Sequence, residues 1–155
     1  MNDIEEIRAI LYKWDSYLTT KQKHYIHFFS MRNFVIHFTE ISNEKFREKI
    51  VTTMKAYIEE VEFANRNYKG VQSFELAQKY LTGISEYYKD FAGFRIFLRL
   101  KFVVIISLIG DLFLYFFSSL ADVSFLPIVS IIFFTYYFYI LFTYYKKNRV
   151  YGIFY

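Results

Sequence analysis

The chain has no cysteine. Disulfides and thiolate metal sites are thereby excluded, and a cytosol-facing domain fits that composition. Proline occurs once and glycine five times in 155 residues, and neither gathers into a low-complexity linker. No internal repeat is evident. There is also no Gly-rich phosphate loop, no GxSxG, no HExxH and no pair of carboxylates in an evident pocket. The reading is therefore a non-enzyme without a cofactor. The amino terminus, MNDIEEIRAILYKW, lacks a basic segment followed by an apolar core, so no cleavable signal peptide is expected.

Charge is scarce in one part of the chain only. Residues 102–145 contain no Lys, Arg, His or Glu, and their only charged side chains are Asp111 and Asp122. Residues 1–100, by contrast, carry 15 Lys/Arg and 13 Asp/Glu. Such a split points to two different solvents. The net charge of +4 sits at the borders of the apolar part: Arg95, Arg99 and Lys101 precede it, and Lys146, Lys147 and Arg149 follow it. That placement reads first as a membrane-orientation and lipid-contact signal rather than as a nucleic-acid patch.

The apolar part divides at SSLADVSFLP into 102–120 and 125–145, each long enough to cross a hydrocarbon core of roughly 30 Å as a helix. Pro127 suits the first turn of the second helix. Basic residues flank both outer ends and the loop has none. The positive-inside rule then puts both termini in the cytoplasm and SSLADV outside, with TYYFYILFTYY as an aromatic belt.

Upstream, the apolar residues Ile4, Ile7, Ile10, Leu11, Trp14 and Leu18 recur at helical spacing. Asp3 and Glu6 resemble a capping box. A second stripe, Phe46, Ile50, Met54, Tyr57, Ile58 and Val61, starts at SNE and ends near Gly70. A third, Phe74, Ala77, Leu81, Ile84, Tyr88 and Phe91, has Ser73 as its N-cap. Residues 21–41 fit either two strands or one helix, and the lack of Gly or Pro at the supposed turn favours helix. Gly93 marks a bend before an interfacial connector. The predicted fold is all-α. It comprises a cytosolic helical bundle over 1–95, a connector over 96–101, a transmembrane hairpin over 102–145 and a basic, aromatic tail over 146–155.

Asp111 is the residue that asks for a reason. A charged Asp at a helix centre costs on the order of 2.5–3.5 kcal/mol on insertion scales, so its charge must be relieved. Ser107, Tyr115 and Ser118 share its helical face. On the second helix Ile132, Thr135, Tyr139 and Thr143 form a mildly polar stripe. Two readings follow. In one, several copies assemble and Asp111, Ser107, Tyr115, Ser118, Thr135 and Tyr139 line a cation-selective pore. In the other, a protonated Asp111 bonded to Tyr or Thr hydroxyls is assembly glue. Both predict a homo-oligomer in a lipid bilayer.

A second cluster, Lys21, Lys23, His24, Tyr25, His27, Phe28, Phe29 and Arg32, interleaves basic groups with aromatics. That pattern suits a nucleotide or short single-stranded nucleic acid, although a buried aromatic core with a wet basic face fits it as well. His24 and His27 lack a third metal ligand. Glu59, Glu60 and Glu62 read as a solvated face. The tail KKNRVYGIFY either rests on lipid or docks on the soluble domain.

A basic-flanked hairpin at 102–145 behind a soluble unit at 1–95 resembles the two-transmembrane-helix effectors of bacterial anti-phage defence, of the Hailong channel-subunit type. The likeness is one of architecture. It implies an oligomeric ion channel in the bacterial inner membrane, governed by a nucleotide-derived signal, whose opening depolarises the host. The Lys146–Arg149 tail and the Lys21–Arg32 cluster are where that resemblance places signal binding. The rival reading is a non-conducting, membrane-anchored scaffold.

Overall fold

The computed structural model describes residues 2–97, 100–120 and 126–152. The fold is all-α apart from one short strand pair. Six helices come first: α1 Asn2–Tyr17, α2 Thr20–Tyr25, α3 Phe28–Ile36, α4 Glu44–Phe63, α5 Val71–Leu76 and α6 Thr82–Ala92. A 3-10 turn at Phe38–Glu40 links α3 to α4, and a π-helical turn at Ala77–Leu81 joins α5 to α6. Then come β1 Arg95–Ile96, the two long apolar helices α7 Leu100–Leu120 and α8 Ile128–Thr143, a 3-10 turn at Tyr145–Lys147, and β2 Val150–Tyr151.

The apolar faces of α1 and of α3 to α6 meet in one core. Trp14, Phe28, Phe34, Ile50, Met54, Tyr57, Val61, Ile84 and Tyr88 are all buried in it. Phe34 lies at its centre, stacked on Tyr88 with ring centroids 4.6 Å apart and close to Phe94 and Tyr151. The first and second stripes fold as their spacing predicts, and Asn43 caps α4 by accepting from the Phe46 N–H. α4 ends at Phe63, however, short of Gly70.

Several local expectations are corrected. Asp3 lies inside α1 and pairs with Lys55 at 3.0 Å, so it is not the cap. The capping box is at Thr19 and Gln22. Ser73 lies inside α5, whose N-cap is Gly70. Residues 21–41 are helical but not one helix. The chain breaks at Ile26–His27, where His27 takes a left-handed φ of 56°. Tertiary bonds hold that break. The buried Tyr57 hydroxyl donates to the Ile26 carbonyl, and the His27 ring bonds Ser73. Gly93 does bend the chain, capping α6 with a φ of 65° that glycine adopts cheaply.

The helical runs Leu100–Ser119 and Ile128–Lys147, the second carrying α8 on through the 3-10 turn, are long and apolar enough to cross a membrane, with mean hydropathies of 2.1 and 1.6. Ile109, Phe113, Phe116, Ile132 and Phe142 are among their many exposed apolar side chains, a surface that water does not favour. Their bounds differ from expectation: α7 starts at Leu100, α8 is shorter at both ends, and Pro127 precedes its first turn. The two helices pack antiparallel. Gly110 lies against Val129, and Val103, Phe133 and Ile140 line one small cavity between the helices. Leu98, Arg99 and residues 121–125, with Asp122 among them, lie outside the described residues.

Candidate functional site

Two constellations carry charge into places that need it, and both close helix ends. The first is built on Asp111. A helix leaves its first four N–H groups without partners inside the helix. α8 opens on Pro127 with no side-chain cap of its own. Pro127 has no N–H, which leaves three such donors, and all three are met before Ile131 makes the first bond within the helix. Ile128 donates back to the Leu126 carbonyl at 2.8 Å around Pro127, whose φ −76° and ψ 61° form an inverse γ-turn. Val129 donates to one Asp111 carboxylate oxygen at 3.0 Å, and Ser130 to the other at 3.2 Å. Ile131 donates to the Pro127 carbonyl at 3.2 Å.

Asp111 is thus an N-cap supplied by the neighbouring helix. Its negative charge sits at the positive end of the α8 dipole, and it is only 7% exposed. Gly110 makes the approach possible, since a Cβ there would come within 2.7 Å of Val129 Cγ1. The hydroxyl partners expected for Asp111 are replaced by backbone amides.

The other span residues go elsewhere. Ser107 is buried at the α7–α8 seam and donates to the Val104 carbonyl. Ser118 donates to the Tyr115 carbonyl, and Thr135 to that of Ile131. The Tyr139 hydroxyl lies 3.4 Å from that of Tyr144. Tyr115, Thr135 and Tyr139 are exposed.

The second constellation lies where the chain leaves α8. Of the two placements left open for the tail, the described part docks on the helical body. β2 pairs with β1 in parallel, Arg95 opposite Val150 and Ile96 opposite Tyr151. Two buried polar residues of α3, one turn apart, meet the tail backbone. Asn33 Nδ2 donates to the Val150 carbonyl at 2.8 Å, and Gly152 N–H donates to Ser30 Oγ at 3.2 Å. Arg149 donates to the Ala92 carbonyl at 2.7 Å, closing the C-terminal end of α6, and to Glu40 at 2.8 Å. His37 Nδ1 lies 2.8 Å from the same Glu40 oxygen, and its Nε2 lies 2.8 Å from the Lys147 carbonyl. His37, Glu40, Ser30 and Asn33 were not singled out in the sequence. The His-x-x-Glu spacing of residues 37–40 was the available signal.

Basic residues at the borders divide by role. Lys101 and Lys146 are exposed and lie over Phe102 and Phe142, whereas Arg95 lies over Tyr144. Arg149 is committed to Glu40 and Ala92, and Arg99 lies outside the described residues.

The Lys21–Arg32 cluster does not form one face. Phe28 and His27 are buried, and Lys23 is tied to Asp15 at 2.6 Å. Arg32 lies over Phe28 and Phe29, and Lys21 is exposed. Burial lowers the affinity of His27 for a proton, outweighing the Ser73 carbonyl that favours it, and nearby His24 lowers it further.

Ser73 and His27 come within 3.1 Å, but they are not poised as nucleophile and base. Ser73 Oγ donates to the Tyr25 carbonyl, and His27 Nε2 is taken up by the Ser73 carbonyl. Among the described residues no three His, Cys, Asp or Glu gather to hold a metal.

Glu60 is drawn from the solvated run into a knot. The π turn lets consecutive Lys79 and Tyr80 both reach it, Tyr80 at 2.7 Å, and these bonds hold its carboxyl below the ordinary range. An open groove of about 860 Å³ between α1 and α4 is lined by Asp3, Glu44, Glu48 and two arginines. Both arginines are engaged, Arg8 with Glu5 and Arg47 with the Thr39 and Ile41 carbonyls.

No family model, curated protein or solved structure matches this chain.

Proposed function

We propose that the chain is a membrane effector subunit. Copies assemble in the bilayer, their α7–α8 hairpins pass ions, and the cytoplasmic body of α1–α6 sets whether they do. One observation carries this reading: both ends of the helix pair are gripped by the body, through β1 before α7 and β2 after α8. A passive anchor needs only a tether. A pair held at both ends transmits a displacement of the body to the segments in lipid.

Lys101, Lys146 and Lys147 face the cytoplasm in this arrangement, by the positive-inside rule. Asp111 holds the hairpin together, and the exposed Tyr115, Thr135 and Tyr139, with Ser118, supply the wall of the conducting path. A nucleotide or short oligonucleotide, acting on the body, is the signal that the resemblance to anti-phage effectors implies.

The test is the purified chain in liposomes, with the subunit number counted by native mass measurement and ion flux followed in parallel. The expected result is an oligomer that conducts. Thr135→Val and Tyr139→Phe should change conductance, while Asp111→Asn should leave the cation-to-anion ratio unmoved. A monomer without flux overturns the proposal.

A second reading, a non-conducting anchored scaffold, is favoured by the hydroxyls of Ser107, Ser118 and Thr135. Each bonds its own helix, so none of the three calls for a neighbouring copy.

A further inference from the structure

The junction at His37 contains more information than a clamp requires. Both partners of its ring are acceptors only: a Glu40 carboxylate oxygen on Nδ1 and the Lys147 carbonyl on Nε2. A neutral imidazole has one N–H and can serve one of them. Serving both requires the imidazolium. The site is built for that cation. Glu40 supplies a negative charge, and His37 is the C-cap of α3, where the helix dipole favours a positive one. Phe94 packs edge-on against the ring, with centroids 5.5 Å apart. The charged groups around His37 are Glu40 from the 3-10 turn and, from the tail, Lys147 and Arg149, the latter bound to the same Glu40 oxygen. His37 is only partly exposed.

We infer that His37 is a proton-operated latch that fastens the end of α8 to the helical body. With both ring nitrogens protonated, the latch holds the chain at Lys147, directly after the last turn of α8. An imidazolium that gives up one proton keeps a single N–H. His37 then sets a lone pair against either the Lys147 carbonyl or the Glu40 carboxylate, and one link opens. Docking of the tail is tight at mildly acidic pH and looser at mildly alkaline pH. This regulates the coupling on which the proposed function depends, but it is read out without ion flow.

The experiment is hydrogen exchange on the full chain in lipid nanodiscs from pH 5.5 to 8.5, corrected for intrinsic rates. The amides followed are Arg95 and Phe97, which donate to the tail carbonyls of Arg149 and Tyr151, and Gly152, which donates to Ser30. Wild-type protection at these amides should fall about tenfold across the range, the equivalent of one charge-assisted hydrogen bond.

His37→Gln, which keeps a donor for the Lys147 carbonyl and cannot titrate, should give protection that is flat with pH. Glu40→Gln is the second variant. Its amide can turn to donate to a neutral Nδ1, so it too should flatten the profile. Flat protection in the wild type, or the wild-type slope surviving in either variant, overturns the latch. Absence of ion flux in liposomes bears on the channel and leaves this measurement intact.

Discussion

At the scale of single residues, the charges that look misplaced in the sequence are the ones that close helix ends. Asp111 satisfies two amides of α8 from another helix. Asp111→Leu fills the site with an apolar side chain and leaves both amides without a partner. The expected loss is at least about 2 kcal/mol, since each buried unmet donor costs about 1–3 kcal/mol. Asp111→Asn, with one accepting oxygen, should fall between. Unfolding of the purified chain in mixed micelles measures both. If Asp111→Leu is as stable as wild type, the cap is not what keeps the acid there.

His27 gives a pH signature of the opposite sign to that of the latch. Burial disfavours its charged form in the folded chain, whereas the unfolded chain binds a proton at the ordinary histidine value of about 6.5. Below that value the unfolded state therefore holds more protons. Stability is full above about pH 6.5 and declines as pH falls. Trp14, the single tryptophan and fully buried, reports denaturant unfolding of the body. The drop in stability from pH 7 to 5 should shrink in His27→Gln. An unchanged drop would assign the acid sensitivity to other groups.

At the scale of elements, the α7–α8 seam is set by one small residue. A Cβ at Gly110 collides with Val129, whose branched side chain has little freedom to turn aside. Gly110→Ala should separate the pair and lower stability by about 1–3 kcal/mol, the usual cost of overpacking. Adding Val129→Ala should recover most of that loss. A double-mutant cycle in micelles gives the coupling, and additive losses would mean that the two residues do not meet.

This scale also shows what the sequence made legible. α1, α4 and α6 follow from apolar spacing, because burial of one face is a local pattern. The break at His27 does not, because a left-handed non-glycine residue is held there by Tyr57 and Ser73, from helices far along the chain. The sequence marked Asp111 as needing relief, yet its partners are backbone amides, which no side-chain pattern announces. The missing cap ahead of Ile128 was the one hint.

At the scale of the whole molecule, a body with its own aromatic core and an exposed apolar helix pair meet at a small junction. Phe97, Ile140 and Val150 are buried together there. The division between the two parts could be read from charge alone, because residues 102–145 are nearly without it. The junction could not, since its strands are two residues each and its polar bonds join distant segments.

That distance has a consequence for how the molecule is made. Asn33 and its partner Val150 are 117 residues apart, and Ser30 and Gly152 are 122 apart. A ribosome delivers α3 and β1 long before β2, and the two apolar helices emerge between them. Ser30 and Asn33 must wait, hydrated, until the tail arrives. Contacts of such long separation form late. In the membrane reading proposed above, α7 and α8 therefore enter lipid before they are fastened, untethered at their far end.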